Sequence, residues 1–125
     1  MSEAELQANV ALYLKMQYPE VLFHSDFGSG VKLQPWQARA QKLQNGGRRA
    51  WPDMFIAEPK KGRNGMFIEF KKEGVRLRKL NGDWASSHIK EQADLLEDLR
   101  DKNYEAEFAV GYEEALTKID NYLGE

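Results

Sequence analysis

Asp53, Glu69 and Lys71 are the residues of this chain whose types and spacing could do chemistry. Asp53 follows Pro52 and opens the apolar segment Met54-Phe55-Ile56-Ala57, while Glu69 and Lys71 lie inside a second one, Met66-Phe67-Ile68-Glu69-Phe70-Lys71. The stretch between them, Glu58-Pro59-Lys60-Lys61-Gly62-Arg63-Asn64-Gly65, reads as a turn. The two segments therefore predict a hairpin. Side chains alternate between the faces of a strand, so Met66, Ile68 and Phe70 share one face and Phe67, Glu69 and Lys71 the other, which Asp53 can also reach. Two carboxylates form a hard oxygen site suited to Mg2+ or Mn2+. A divalent ion there would polarise a phosphoryl oxygen and lower the pKa of a bound water. Lys71 would position that water or offset the charge developing on the phosphate. The chemistry implied is phosphodiester hydrolysis. Taken singly, Asp after Pro is an ordinary turn residue, and Glu and Lys two apart are an ordinary solvated pair. An acid in an apolar strand is costly to bury without a partner, and this favours a site.

The charge distribution points the same way. The 125-residue chain has a net charge of −2, yet residues 32–90 hold 14 of the 18 Lys and Arg and 5 of the 20 acids. Two of those five acids are Asp53 and Glu69. A basic middle around an acidic metal site suits a nucleic-acid enzyme, whose cations bind phosphates and release counterions. There is no cysteine, so neither disulfides nor a thiolate zinc site is expected. The two histidines, His24 and His88, do not suggest a His-based zinc hydrolase. No apolar run approaches a membrane span, and no secretory signal is read at the N-terminus; a cytoplasmic protein of one domain, residues 1–125, is expected.

The elements that must position these residues are legible from periodicity. Residues 3–17 predict a helix, with Ser2 as N-cap and Glu5 placed for the reciprocal capping-box bond. Leu6, Val10, Tyr13 and Leu14 recur at helical spacing. Glu3, Gln7, Val10 and Leu14 form a stripe that turns Glu3 toward the core side, and Glu5 could serve either the cap or the site. Pro19 ends the helix, and Val21–Phe27 reads as a strand closed by Gly28-Ser29-Gly30. Asp26 before that turn reads as structural, and His24 as a surface or packing residue. Pro35 opens a short helix through about Leu43, closed by Asn45-Gly46-Gly47. Arg39, Lys42, Arg48 and Arg49 on and after it read as a phosphate-contact segment. The segment lacks the P-loop spacing, so no nucleotide cofactor is implied. Val75–Leu80 alternates, and Asn81-Gly82 is a type I′ turn signal. Together they suggest a small basic hairpin with Lys72, Arg76, Arg78 and Lys79 as further nucleic-acid contacts. Trp84 would either stack on a base or pack that flap onto the domain. Ser86 or Ser87 caps a helix to about Lys102 that carries Gln92. Ala106–Val110 is a strand, and Glu113–Leu123 a closing amphipathic helix.

The order helix, strand, helix, strand, strand, helix, strand, helix predicts an α/β fold, a small mixed β-sheet flanked by helices. With Trp51-Pro52-Asp53 after a Gly-rich turn and Phe67-Ile68-Glu69-Phe70-Lys71 as an E-x-K strand, the chain resembles the PD-(D/E)XK nuclease superfamily. Ser2-Glu3-Ala4-Glu5-Leu6-Gln7, similar to an opening helix that bears a glutamate, and Gln92 on the next helix narrow the resemblance to the virus-type replication-repair nuclease (VRR-NUC) family. The resemblance covers nearly the whole chain and implies a restriction-endonuclease-like αβββαβ core. It implies Glu3, in preference to Glu5, with Asp53 and Glu69 as ligands of Mg2+ or Mn2+, Lys71 as the catalytic base or charge stabiliser, and Gln92 as a supporting residue. It further implies an endonuclease for Holliday junctions or related branched DNA, in a bacterial or phage-infected cell. Symmetric cutting of two strands requires two sites, hence a homodimer for which Trp36, Trp51 or Tyr104 could supply contacts. The link between Lys71 and the Gln92 helix is longer than the family pattern. The alternatives are a nucleic-acid-binding module that does not cleave, and a nuclease for flap DNA or RNA.

Overall fold

The computed structural model describes residues 1–26 and 32–124. Helix α1 (Glu3–Gln17) opens the chain, followed by β1 (Phe23–Ser25), α2 (Pro35–Gln44), β2 (Met54–Ile56), β3 (Met66–Lys71), α3 (Ser87–Asp101), β4 (Glu105–Val110) and α4 (Tyr112–Leu123). The order is the one the periodicities predict. The first strand is shorter than the expected Val21–Phe27, and Phe27 with Gly28-Ser29-Gly30 lies outside the described residues.

The four strands form one sheet in the order β1-β2-β3-β4. β1 pairs antiparallel with β2, and β2 with β3 in the register Met54↔Ile68. β3 runs parallel to β4, a pairing that needs a crossover, which α3 supplies. The sheet is covered on both sides. On one face Met66, Ile68 and Phe70 pack with Leu6, Val10 and Leu14 of α1 and with Ala115, Ile119 and Leu123 of α4. On the other, Ile89, Ala93, Leu96 and Leu99 of α3 pack on Ala106 and Phe108. β3 is central and covered twice, so even its polar residues, Glu69 and Lys71, are buried. The β2–β3 turn closes so tightly that a Cβ on Gly65 would lie 2.8 Å from the Phe55 ring and 2.9 Å from the Ile56 carbonyl oxygen.

Local chemistry sets the helix ends. Ser2 Oγ accepts from Glu5 N at 3.1 Å, and Glu5 Oε1 accepts from Ser2 N at 3.3 Å, the reciprocal box read from the sequence. Of the two serines offered as the α3 cap, Ser86 is the one used, its Oγ accepting from Ile89 N at 3.1 Å. α2 differs from the other helices: it begins at Pro35, Gln37 Oε1 accepts from Gln34 N at 2.8 Å, and none of its residues is buried.

The segment after β3 departs from the expected hairpin. It has one isolated bridge, Arg78↔Trp84, rather than two strands. The turn is a three-residue connection, Leu80-Asn81-Gly82, with Lys79 N donating to Asp83 O at 2.7 Å and Gly82 N to Lys79 O at 3.0 Å. A type I′ turn needs positive φ at both Asn81 and Gly82, and of the two only Gly82 (φ 92°) has it. Leu77, Trp84 and Ala85 are drawn into the α3 core, and this tertiary pull sets the shape of the segment.

Candidate active site

Asp53 lies one residue before β2. The register Met54↔Ile68, continued by one step, sets it across from Glu69. Phe70 N–H faces β2 where the ladder has ended, and Asp53 Oδ2 accepts it at 2.9 Å. That bond fixes the carboxylate and satisfies a donor that would otherwise be orphaned in a central strand.

Glu69 is 4% exposed. Its Oε1 accepts from Gln92 Nε2 at 2.8 Å across the β3–α3 interface. Its carboxyl is pushed up to about 10: burial contributes most, then the hydrogen bond and charge of Asp53, and the ammonium of Lys71 opposes them. Without a cation, Glu69 therefore holds a proton at neutral pH. Lys71, two residues on, shares the Glu69 face and is also buried. Among the described residues it joins no ion pair, so its ammonium is available to an anion. Gln92 is 5% exposed, and its Oε1 is buried with no hydrogen-bond partner. Such an acceptor is expensive to leave unmade.

These residues form the floor of a cleft of about 600 Å³, lined also by Glu3, Asp26, His88 and Trp51. Glu3, exposed on the first turn of α1, reaches the cleft, and its charge adds to the rise at Glu69. Glu5 is occupied by the Ser2 cap, which holds its carboxyl below the usual range. Among the described residues, no three acidic or imidazole side chains come together as a ready metal cage. The structure brings Asp53 and Glu69 together, with Glu3 on the rim.

The donor set fits Mg2+ or Mn2+. Two carboxylates and the unpartnered Gln92 carbonyl oxygen are all hard oxygen donors. A cation would also remove the cost of Glu69 by displacing its proton.

The wall of the cleft is basic. Arg39 and Lys42 from α2, with Arg48 and Arg49 from the turn after it, all line it. This turn is tied down by Trp51 Nε1 donating to Asn45 O at 2.9 Å, by Trp51 against Phe67, and by Arg48 to Asp98 at 2.8 Å. The other predicted nucleic-acid residues stand apart. Arg78 and Lys79 line a separate hollow with Lys90, and Lys72 another. Arg78 stacks over Trp84 at 3.7 Å and donates to Gly82 O at 2.7 Å, and Trp84 packs against Phe108. Of the two readings offered for Trp84, packing is the one found.

Sequence reasoning gave Gln7 no role beyond its stripe. Its Nε2 donates to Ser25 Oγ at 2.6 Å and to Asp26 O at 2.7 Å, while Asp26 N donates to Asp53 O at 2.7 Å. Gln7 thus ties α1 to the strand ends that hold Asp53. Its available signal was a polar residue one turn before the buried Val10 and Leu14 on the same stripe. Asp26, read as structural, and His88, which was given no role, both reach the cleft. His88 sits one turn before Gln92, a spacing that puts both on one helix face.

No family model and no curated protein matches the chain. A solved structure named "VRR_NUC domain protein" does, with a TM-score of 0.66 and 23% identity over 98% of this chain and 88% of that one. The chain therefore has the fold of that domain, a small mixed sheet of four strands flanked by helices.

Proposed function

We infer that this protein is a divalent-metal-dependent nuclease of the VRR-NUC type that hydrolyses phosphodiester bonds in branched DNA. The observation that carries the reading is Glu69. A carboxyl is buried in the central strand, gripped by Gln92 and set beside Asp53, at a thermodynamic cost that folding does not require. A binding surface that never cleaves would use the basic wall equally well but has no need of that buried pair.

Asp53 and Glu69, with Glu3 from the rim, would hold Mg2+ or Mn2+. Such an ion supplies Lewis acidity toward a phosphoryl oxygen and makes water more acidic. The chain does the rest. Arg39, Lys42 and Arg49 bind the phosphates beside the scissile one and align the backbone over the floor. Gln92 fixes the Glu69 carboxylate so that it need not reorganise during the reaction. Lys71, buried and in no ion pair among the described residues, positions the attacking water and offsets the negative charge growing on the phosphate. Two such sites cutting opposed strands imply a two-fold homodimer. Trp36, 63% exposed on α2, is available to it, whereas Tyr104 is packed against Phe55 and Phe67.

The test is incubation with end-labelled four-way junction, flap, duplex and single-stranded RNA in Mg2+, Mn2+ and EDTA. Paired incisions in the junction with either metal, absent in EDTA, are expected. Equal cutting of unbranched duplex removes structure selectivity, and cutting of RNA alone reassigns the substrate.

A further inference from the structure

We propose that residues 72–86 form a wedge for DNA, with Leu80 as an apolar tip that enters the base stack where the duplex is interrupted. The proposal rests on the nucleic-acid reading above and names the feature of the substrate that the site recognises.

The arm lines hollows of its own but is joined at both ends to elements that carry cleft residues. It leaves directly after Lys71 and ends at Ser86, the cap of the helix whose His88 and Gln92 line the same cleft. Its base is fixed by Leu77, Trp84 and Ala85 in the α3 core and by Ala85 N donating to Leu77 O at 2.8 Å. Its upper part is fixed by Lys79 N to Asp83 O, by the Arg78 guanidinium clamped between the Trp84 ring and Gly82 O, and by Asp83 N donating to Asn81 Oδ1 at 3.0 Å. At the end of this braced structure Leu80 is 92% exposed, more than any other large hydrophobic residue among those described. It contributes nothing to the core. A single exposed leucine is unremarkable on a flat surface. Here it sits in a turn held by hydrogen bonds on both flanks, so its position is set before any partner arrives.

The surroundings select the partner. Arg76 and Lys79 are exposed on the arm, with Lys72 at its start, against Glu73 and Asp83, while Lys90 near its end is paired with Asp94 at 2.9 Å. An apolar tip with the exposed cations Lys79 beside it and Arg76 further down the same arm is complementary to a polyanion with an apolar interior. Proteins that kink duplexes insert apolar side chains between base steps while basic residues hold the backbone. An interrupted duplex costs least to open, so the tip would favour junctions and flaps over continuous helix. The sequence offers Trp84 for this task, but Trp84 is covered by Arg78 and packed on Phe108.

The experiment uses a four-way junction with 2-aminopurine beside the branch point, titrated with protein in EDTA, with binding followed separately by anisotropy. The wild type should raise the fluorescence, reporting an unstacked base, and should raise it far less in continuous duplex. Leu80→Ala should bind the junction but leave the fluorescence at the level of free DNA, and Leu80→Met should restore the rise. Equal fluorescence with wild type and Leu80→Ala overturns the proposal. So does loss of a dimer in Leu80→Ala by light scattering with unstacking unchanged, which would assign the tip to a second copy. Leu80-dependent flotation with phosphatidylserine vesicles, without unstacking, overturns it in favour of a membrane surface. Failure of the wild type to bind any DNA would remove the nuclease reading as well. Metal-dependent cleavage without a fluorescence change would remove the wedge alone.

Discussion

Glu69 sets stability against chemistry within one side chain. In metal-free protein the folded carboxyl keeps its proton up to about 10, while the unfolded one releases it near 4.5. Between these values the folded state binds more protons, so the contribution of Glu69 is fully present below the unfolded value and is lost as pH rises toward the folded one. Glu69→Gln should therefore flatten the fall in urea midpoint with pH in EDTA, and an unchanged slope would contradict this. Lys71 makes the complementary case. It is buried and joins no ion pair among the described residues, and its proposed role is at the phosphate. Lys71→Ala should lower the single-turnover cleavage rate by about 10²–10³-fold, the scale for losing one preorganised charge stabiliser. Junction affinity should stay near wild type. Cleavage at the wild-type rate would remove the lysine from the mechanism.

The elements that hold these residues differ in how far the sequence reveals them. β3 was legible because strand alternation alone puts Met66, Ile68 and Phe70 on one face and Glu69 with Lys71 on the other. α1, α3 and α4 were legible because their apolar residues recur at helical spacing. The Ser2–Glu5 box separates Glu3 from Glu5 by a purely local rule: the cap occupies Glu5 and leaves Glu3 to the cleft. What periodicity could not show is what long-range contacts decide. Gln7 meets Ser25 and Asp26 only after the sheet has formed, Trp84 turns inward because β4 offers it Phe108 beside the α3 core, and the Asn81-Gly82 turn follows the packing of its flanks. Two element-scale consequences are measurable. Ser86→Ala removes the cap of the helix that carries Gln92 and should cost about 1 kcal/mol in urea denaturation. Gln7→Ala should reduce cleavage more than it reduces DNA binding, because it loosens the strand ends around Asp53 rather than the basic wall. An equal loss of both would place Gln7 in the DNA contact instead.

At the scale of the molecule, two features frame the cleft. The outer edge of β4 is closed by side chains: Arg100 donates to Ala106 O at 2.5 Å, Lys118 donates to Phe108 O at 2.6 Å, and Glu114 accepts from Val110 N. Such capping keeps an edge strand from pairing with another chain, so a homodimer would be built on another surface. The second feature is the basic wall from α2. Each phosphate contact contributes about one unit to the salt slope of binding, so neutralising Arg39, Lys42 or Arg49 should reduce the slope by about that much and weaken junction and duplex binding alike. A change confined to junctions would make the wall a reader of shape. The proposed metal-dependent nuclease activity of this fold depends on the acid pair in the cleft floor. It is tested most directly by cleavage of a labelled four-way junction in Mg2+ by wild type and Asp53→Ala, with binding measured in parallel. Incision by the wild type, none in EDTA, and an Asp53→Ala protein that binds the junction without cutting it are expected. Binding by the wild type with no incision in Mg2+ or Mn2+, or full incision by Asp53→Ala, would contradict it.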